Sequence, residues 1–153
     1  MIPRIYIDTS VIGGCQDEEF QEHSERLLAD FQAGRFRPVI SNITLAEVLQ
    51  APERVRALLE HQSIRGAERI YLDEEAISLA EAYIQEGAVG ESHRVDAQHI
   101  ALATVHRVDI LVSWNFQHIV KWSRIRAFNA VNLKLGYPPL EIRSPQEVYY
   151  EEE

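Results

Sequence analysis

The stretch IYIDTSVIGG, residues 5 to 14, carries one carboxylate, Asp8, at the end of a run of apolar residues that favour β-structure. Two hydroxyl side chains, Thr9 and Ser10, follow it directly. The pattern predicts a buried strand that ends at Asp8 in a polar turn. A lone acid at the mouth of a buried strand is a candidate functional group. The alternative interpretation of all three polar side chains is a turn or the cap of a short helix.

The length and composition of the chain predict one domain. It has 153 residues, of which 46% are hydrophobic, and this suits a single core. We expect the domain to span residues 1–148, with an acidic tail at 149–153. A cytoplasmic protein is expected, because no apolar run reaches the length of a membrane helix and Arg4 and Asp8 interrupt any signal-peptide core. Cys15 is interpreted as a small, partly buried residue, since it has no second cysteine to pair with.

Charge is distributed unevenly along the chain. The formal net charge is −9, from 24 Asp and Glu against 15 Lys and Arg, which argues against a polyanionic partner for the molecule as a whole. Between residues 118 and 134, however, Lys121, Arg124, Arg126 and Lys134 occur without any acid. This basic stretch is a candidate contact for a nucleic-acid backbone, and a solvated helix face is the alternative.

Strand and helix patterns alternate along the sequence. Helical spacing of apolar residues is predicted at 18–33, 45–50, 53–62, 74–85, 93–106 and along the basic stretch. Asn42 or Thr44 can cap the second of these helices, Asp73 can cap the fourth, and SPQE at 144–147 has the form of a capping box. Strands are predicted at 4–8, 36–41, 69–72, 109–113 and 141–143. This order predicts a parallel sheet with helices on both faces.

Four polar residues are predicted to meet at one edge of this sheet. Asp8 ends the first strand and Asn115 follows the fourth, while Glu47 and Asp96 lie in the first turns of helices that begin at the same edge. Sites in open parallel sheets form beyond the carboxyl ends of the strands. Three carboxylates held together cannot all stay ionised without a cation, and oxygen ligands suit Mg²⁺ or Mn²⁺. The sequence therefore predicts a hard-metal site at this edge.

The segments IYIDTSVI, SNITLAEVL, RVDAQHIALA and LVSWN, taken together and in this order, resemble the PIN-domain family, whose members include VapC-type ribonuclease toxins. The resemblance runs from about residue 4 to residue 145. It implies a three-layer α/β/α sandwich with a central parallel sheet, and a nuclease domain at 1–148. It also implies a metal-dependent endoribonuclease that hydrolyses RNA phosphodiester bonds as the toxin of a type II toxin–antitoxin pair. A homodimer and a small antitoxin partner are expected on the same basis.

Site roles follow from the resemblance residue by residue. Asp8, Glu47 and Asp96 match the acidic catalytic core, with Asp8 and Asp96 as direct ligands of Mg²⁺ or Mn²⁺ and Glu47 as a ligand or as the group that orients the attacking water. Asn115 matches a fourth ligand position that is usually Asp; an amide is a neutral ligand, so one tightly held metal is expected rather than two. The predicted contacts to substrate are Thr9, Ser10, Lys121, Arg124 and Arg126.

Other side chains near these positions are interpreted as structural. His93 and His99 flank Asp96 and are taken as helix-surface or packing residues, and His118 as a residue at a helix start. The two tryptophans at 114 and 122 could stack on bases, although large aromatics beside a core strand usually pack. The glycine pair at 13 and 14 lacks the pattern of a phosphate-binding loop and predicts a turn.

Two functions of other classes stay open. One is a catalytically weak PIN-like module that binds RNA or a protein. This alternative stays open because Asn115 replaces the usual Asp. Cleavage of a labelled RNA, measured as a function of metal concentration, distinguishes such a module from an enzyme. The other is a phosphotransfer domain that uses Asp8. The sequence Asp-Thr-Ser lacks the Asp-x-Asp of one phosphatase class and the adjacent acids of a receiver, and phosphorylation of Asp8 by a small phosphodonor would support this class.

Overall fold

Five parallel strands form the centre of the protein in a computed structural model that describes residues 1–151. Their order across the sheet is β3-β2-β1-β4-β5, so the strand that ends at Asp8 is the middle one. All four neighbouring pairs are parallel. The strands are β1 Arg4–Ile7, β2 Arg37–Ser41, β3 Glu68–Ile70, β4 Ile110–Val112 and β5 Glu141–Arg143.

Eight α-helices surround the sheet within residues 1–151. They are α1 Thr9–Gly14, α2 Gln21–Gln32, α3 Asn42–Leu49, α4 Glu53–Arg56, α5 Gln62–Arg65, α6 Glu74–Gln85, α7 Arg94–Val105 and α8 Trp122–Lys134. Short 3₁₀ helices occur at Ala57–Glu60, Glu91–His93 and Pro145–Glu147. None of the helices in the described part of the chain combines the length and apolar character that a membrane span requires.

The alternation of side chains along β1 separates two hydrophobic cores. Tyr6 belongs to the core that α6, α7 and α8 cover, whereas Ile5 and Ile7 belong to the core that α1 to α5 cover. Successive residues of a strand point to opposite faces, so a middle strand with apolar residues throughout must be covered on both sides. The predicted α/β/α architecture is therefore confirmed.

Most predicted helix ends are confirmed, with one corrected cap. Asp73 Oδ1 accepts a hydrogen bond from the Ala76 N–H at 2.9 Å, and the capping box at 144–147 is formed. The cap of α3 was predicted at Asn42 or Thr44, and this is wrong: Ser41 Oγ accepts the Thr44 N–H at 3.2 Å. Asn42 instead uses its Oδ1 to accept the N–H of Leu72 after β3, which joins two neighbouring strand ends.

The single helix predicted at 53–62 is also wrong. The segment forms α4, a 3₁₀ turn and α5, with an extended His61 between the last two. The Nδ1 atom of His61 accepts the Ser63 N–H at 3.2 Å and so caps a new helix. This restart allows Ile64 to become fully buried in the core beneath α2 and β2. Tertiary burial of one apolar residue thus overrides the helical periodicity of the segment.

The predicted acidic tail begins on the surface of the domain. The Tyr149 ring lies 5.4 Å from the Arg26 guanidinium, and Tyr150 lies 5.1 Å from that of Arg35. Residues 152 and 153 of the predicted tail lie outside the described residues. The boundary at residue 148 stays a prediction.

The glycine pair lies in α1 rather than in the predicted turn. A Cβ atom built on Gly14 would lie 2.5 Å from Ser24 Oγ and 2.8 Å from Trp114 Nε1, whereas one on Gly13 meets nothing within 4 Å. The Trp114 indole N–H donates to Ser24 Oγ at 2.8 Å, so α1, α2 and the loop after β4 meet at Gly14. Close packing of three elements therefore requires glycine at position 14 only.

Alanine substitutions at Gly14 and Gly13 should have different effects on the free energy of unfolding. Gly14→Ala should lower the free energy of unfolding by about 1–3 kcal/mol, because the added methyl group displaces Trp114 or Ser24. Gly13→Ala, the matched control, should be neutral or stabilising by up to about 1 kcal/mol, because alanine is the better helix former. Urea unfolding followed by tryptophan fluorescence measures both, and equal stability of the two variants would contradict this packing.

Candidate active site

Asp8 is buried at the junction of β1 and α1, with a relative exposure of 5%. Its two carboxylate oxygens accept hydrogen bonds from the Ser10 and Ser113 hydroxyls, each at 2.6 Å. Ser113 reaches Asp8 because β1 and β4 pair with Ile7 opposite Val112, so both chains leave the sheet side by side. The Asp8 side chain makes no capping bond to α1. The helix-cap interpretation of Asp8 therefore lacks its defining contact.

Burial shifts the ionisation of Asp8. Loss of solvent raises the pKa of this carboxyl group, while the nearby charge of His99 and the serine hydroxyls lower it and the charge of Glu47 raises it further; the net pKa is raised. The fold thus holds an acid where its charged form is disfavoured. Such strain is typical of functional sites, although structural networks also produce it.

Glu47 projects from α3 toward the same edge of the sheet. Its Oε1 atom accepts hydrogen bonds from Thr9 Oγ1 at 2.9 Å and from His99 Nε2 at 2.7 Å. The Oε2 atom has no hydrogen-bond partner in the part of the chain that the structure describes. Burial alone would raise the pKa of Glu47, but the bonds to His99 and Thr9 and the His99 charge lower it overall. Glu47 is therefore an ionised group with one oxygen available.

His99 is only 2% exposed, so of its two interpretations the packing one is confirmed and the helix-surface one is wrong. Both of its ring nitrogens are also hydrogen-bonded, which neither interpretation anticipated. Its Nδ1 atom lies 2.6 Å from the hydroxyl oxygen of Tyr6. Burial lowers the pKa of His99, but Tyr6, the bond to Glu47 and the charges of Asp8 and Glu47 raise it to about 10. His99 follows Asp96 by three residues, one helical turn, and that spacing was the available signal.

Asp96 lies in the first turn of α7 and completes the acidic group. Its Oδ1 atom is 3.4 Å from the Asn115 amide nitrogen, and its Oδ2 atom is 3.8 Å from His93 Nδ1. Burial raises its pKa and the neighbouring histidines lower it, while Glu47 raises it; the net pKa is raised. The four predicted residues thus converge at one edge of the sheet, and their catalytic and metal-binding roles stay predictions.

The amide of Asn115 is oriented by its own loop. Its Oδ1 atom accepts the backbone N–H groups of Gln117 at 3.2 Å and His118 at 3.0 Å, which leaves Nδ2 toward Asp96. Two backbone donors identify the oxygen, since nitrogen could not accept them. The metal-ligand role of Asn115 stays a prediction. In this arrangement its Oδ1 atom, the one that would bind the metal, already accepts two backbone hydrogen bonds of its own loop.

Aromatic side chains precede and follow Asn115 in the chain. The Trp114 ring is buried and stacks on Phe20 with centroids 4.3 Å apart, as the packing interpretation expected. Trp122, by contrast, is 72% exposed at the start of α8. The rings of His93 and His118 stack with centroids 3.6 Å apart, beside Asp96.

The basic side chains of this stretch differ in whether they hydrogen-bond other parts of the protein. Arg124 donates to the carbonyl oxygen of Ala88 at 2.7 Å, so it holds α8 to the loop after α6. Lys121 is exposed, and the Arg126 guanidinium lies 4.7 Å from the exposed Trp122 ring. Lys121 and Arg126 are therefore better placed than Arg124 for the predicted contact with an RNA backbone.

The donor set fits a divalent ion that keeps part of its water shell. No three His, Cys, Asp or Glu side chains within residues 1–151 are grouped closely enough to hold a metal ion by themselves. The charge of Glu47 nevertheless raises the pKa of both Asp8 and Asp96, and all three side chains offer oxygen donors. Mg²⁺ is commonly held by one or two carboxylates together with waters and substrate phosphates. An ion held here would therefore keep water molecules in part of its coordination shell.

Several solved structures share this fold. VapBC2 from Rickettsia felis, bound to a DNA fragment from its promoter, matches over 92% of this chain and 98% of its own, at 13% identity and a TM-score of 0.57. FitAcB from Neisseria gonorrhoeae matches over 94% and 99%, at 17% identity and a TM-score of 0.57. VapC20 from Mycobacterium tuberculosis, described as a Sarcin-Ricin loop cleaving toxin, matches over 74% and 92%, at 14% identity and a TM-score of 0.54.

At these identities the likeness shows the fold. The chain has a PIN-like α/β/α fold, as the resemblance of its four motifs implied. No family model matches the chain, and no curated protein sequence matches it.

Substitution of Asp8 distinguishes a functional role of this carboxylate from a purely structural one. A carboxyl group with a raised pKa stabilises the fold below its unfolded pKa of about 3.9 and loses that contribution as the pH rises through the folded pKa. At neutral pH in EDTA, Asp8→Asn should therefore melt at or above the temperature of the unaltered protein. Millimolar Mg²⁺ should narrow or reverse the difference, because only the intact site gains binding free energy from the ion.

Asp73→Ala is the matched structural control for the melting experiment. It removes a formed helix cap, so it should lose roughly 1 kcal/mol equally in EDTA and in Mg²⁺. If Asp8→Asn behaves in the same way, with a metal-independent drop in melting temperature, the functional interpretation of Asp8 is wrong.

Proposed function

We propose that the protein is a metal-dependent endoribonuclease that hydrolyses RNA phosphodiester bonds, and that it acts as the toxin of a type II toxin–antitoxin pair. The observation that carries the proposal is the convergence of Asp8, Glu47 and Asp96 at the carboxyl edge of the sheet, with the pKa of two of them raised by burial. Function depends on the site rather than the fold, and PIN-like folds supply only the prior expectation.

The solved structures with this fold support the biological role. One is described as a toxin that cleaves the Sarcin-Ricin loop, and others are toxin–antitoxin complexes or assemblies bound to promoter DNA. By this likeness the chain would act on RNA and be inhibited by a small antitoxin protein. A homodimer remains part of the proposal on the basis of the resemblance in the sequence.

Each acid has a distinct place in the proposed reaction. A divalent ion, Mg²⁺ or Mn²⁺, would lower the pKa of a water molecule and offset the negative charge that builds on the phosphate oxygens. Asp8 and Asp96 would be direct ligands of the ion. Glu47, with a lowered pKa, is suited to ligate or to orient the attacking water through its available oxygen rather than to store a proton. Thr9 and Ser10 hydrogen-bond the acids and remain candidate phosphate contacts.

A phosphotransfer role for Asp8 has little support from its surroundings. Both Asp8 oxygens already accept serine hydroxyl bonds, and the side chain is almost inaccessible. A nucleophilic carboxylate needs an exposed oxygen in line with the incoming phosphorus. The PIN-like binding module remains the second candidate, because the Asn115 oxygen is engaged by its own loop and leaves the ligand set incomplete.

Metal-dependent cleavage tests the proposed enzyme directly. Mg²⁺ or Mn²⁺ should support cleavage of a labelled single-stranded RNA, and EDTA should abolish it. Asp96→Asn should lose activity while remaining folded, because the substitution keeps the shape of the side chain and removes its charge. Undiminished cleavage in excess EDTA would exclude the metal mechanism, and RNA binding without any cleavage would favour the binding module.

The salt dependence of RNA binding tests the basic stretch. In EDTA, where no cleavage is expected, Arg126→Glu and Lys121→Glu should each weaken binding to a fluorescent single-stranded RNA. Each should also reduce the slope of log K against log salt by about 0.7, because one phosphate contact fewer releases one counterion fewer. Lys134→Glu is the control, because Lys134 pairs with Glu86 at 2.5 Å. Unchanged slopes would identify the basic stretch as a solvated face.

A further inference from the structure

A chain of polar side chains runs from the interior of the protein to Glu47. Ser41 Oγ lies 2.8 Å from the Tyr6 hydroxyl oxygen, which lies 2.6 Å from His99 Nδ1. His99 Nε2 lies 2.7 Å from Glu47 Oε1. Three of the four residues, Ser41, Tyr6 and His99, are buried. Burying this many polar groups is unfavourable unless each is hydrogen-bonded, and every member of this chain has a partner.

The chain connects the three elements that carry the acids. Tyr6 is on β1, two residues before Asp8. Ser41 ends β2 and caps α3, which carries Glu47. His99 is on α7, one turn after Asp96. One hydrogen-bonded chain therefore sets the mutual placement of the strand and the two helices on which the proposed catalysis depends.

We propose that His99 is a positioning residue that fixes the Glu47 carboxylate for metal and substrate. This inference rests on the proposed nuclease function. His99 is too deeply buried to touch a substrate, so it acts through its neighbours, and the acid to which it is hydrogen-bonded is Glu47. Glu47 is itself 40% exposed and would otherwise sample several rotamers.

The geometry of the contact explains how the positioning works. His99 Nε2–H and the Thr9 hydroxyl both donate to the same Glu47 oxygen, Oε1. Two donors on one oxygen fix the carboxylate plane and leave Oε2 available. The Tyr6 hydroxyl in turn holds the imidazole ring through Nδ1, so the ring cannot rotate without breaking a buried bond.

Two substitutions of His99 separate positioning from packing. His99→Gln can place an amide N–H near the former Nε2 atom and keep a donor to Glu47, whereas His99→Asn is shorter and reaches only the former Nδ1 position. Both delete the buried ring, so both should lower the melting temperature to a similar extent. His106→Gln is the control, because His106 lies at the far end of α7 and its nearest carboxylate is that of Asp73, which is outside the proposed site.

The main measurement needs neither metal nor RNA. In metal-free protein with ¹³C-labelled glutamate, the Glu47 carboxyl resonance is identified by its absence in Glu47→Gln. His99→Asn should shift this resonance, while His99→Gln and His106→Gln should leave it close to its original position. Mn²⁺ affinity measured by calorimetry should fall by about 10–100-fold in His99→Asn and less in His99→Gln.

Cleavage kinetics then connect the positioning to function. The kcat for RNA should follow the same order as Mn²⁺ affinity, with KM little changed, because His99 is buried and touches no substrate. Equal effects of Asn and Gln on the Glu47 resonance and on Mn²⁺ affinity would overturn the proposal in favour of simple packing. If the unaltered protein cleaves no RNA, the nuclease proposal fails, and the Glu47 resonance still decides whether His99 positions this carboxylate.

Discussion

The burial of one carboxylate, Asp8, at the end of the middle strand is the constraint on which the rest of the site depends. A buried charge is tolerated only where donors surround it. The donors come from Ser10 at the start of α1 and from Ser113 directly after β4. The backbone N–H of Trp114 in turn donates to Ser10 Oγ at 2.8 Å. The parallel register of β1 and β4 and the immediate turn into α1 are therefore conditions for keeping this acid.

Burial of the acids, and its partial relief by the charge of His99, shape the electrostatics of the site. Asp8 and Asp96 have raised pKa values because burial disfavours their charged forms, and the positive field of His99 moderates both shifts. A fold optimised for stability alone would replace such acids by apolar or amide side chains. Retention of three carboxylates around one buried histidine is understandable if a cation joins them during function.

The net negative charge of the protein is compatible with the proposed RNA substrate because basic side chains occur together in one part of the chain. Basic side chains open to solvent, Lys121 and Arg126, follow the loop of Asn115 in the sequence, whereas Arg124 and Lys134 hold α8 to its neighbours. Association with a polyanion depends on the potential at the site rather than on net charge alone. The exposed Trp122 ring under Arg126 adds a surface on which a base could stack.

The sequence by itself determined the five strands, the longer helices, the parallel sheet and the convergence of Asp8, Glu47, Asp96 and Asn115. Periodicity and the polarity of strand ends are local, and the carboxyl ends of parallel strands meet. Only the tertiary structure decided the partners. Tyr6 and His99 are 93 residues apart and Asp8 and Ser113 are 105 apart, so their contacts depend on strand register and helix packing. The role of Arg124 and the requirement for glycine at position 14 were likewise hidden, since each arises where separate elements pack together, and no local pattern records that.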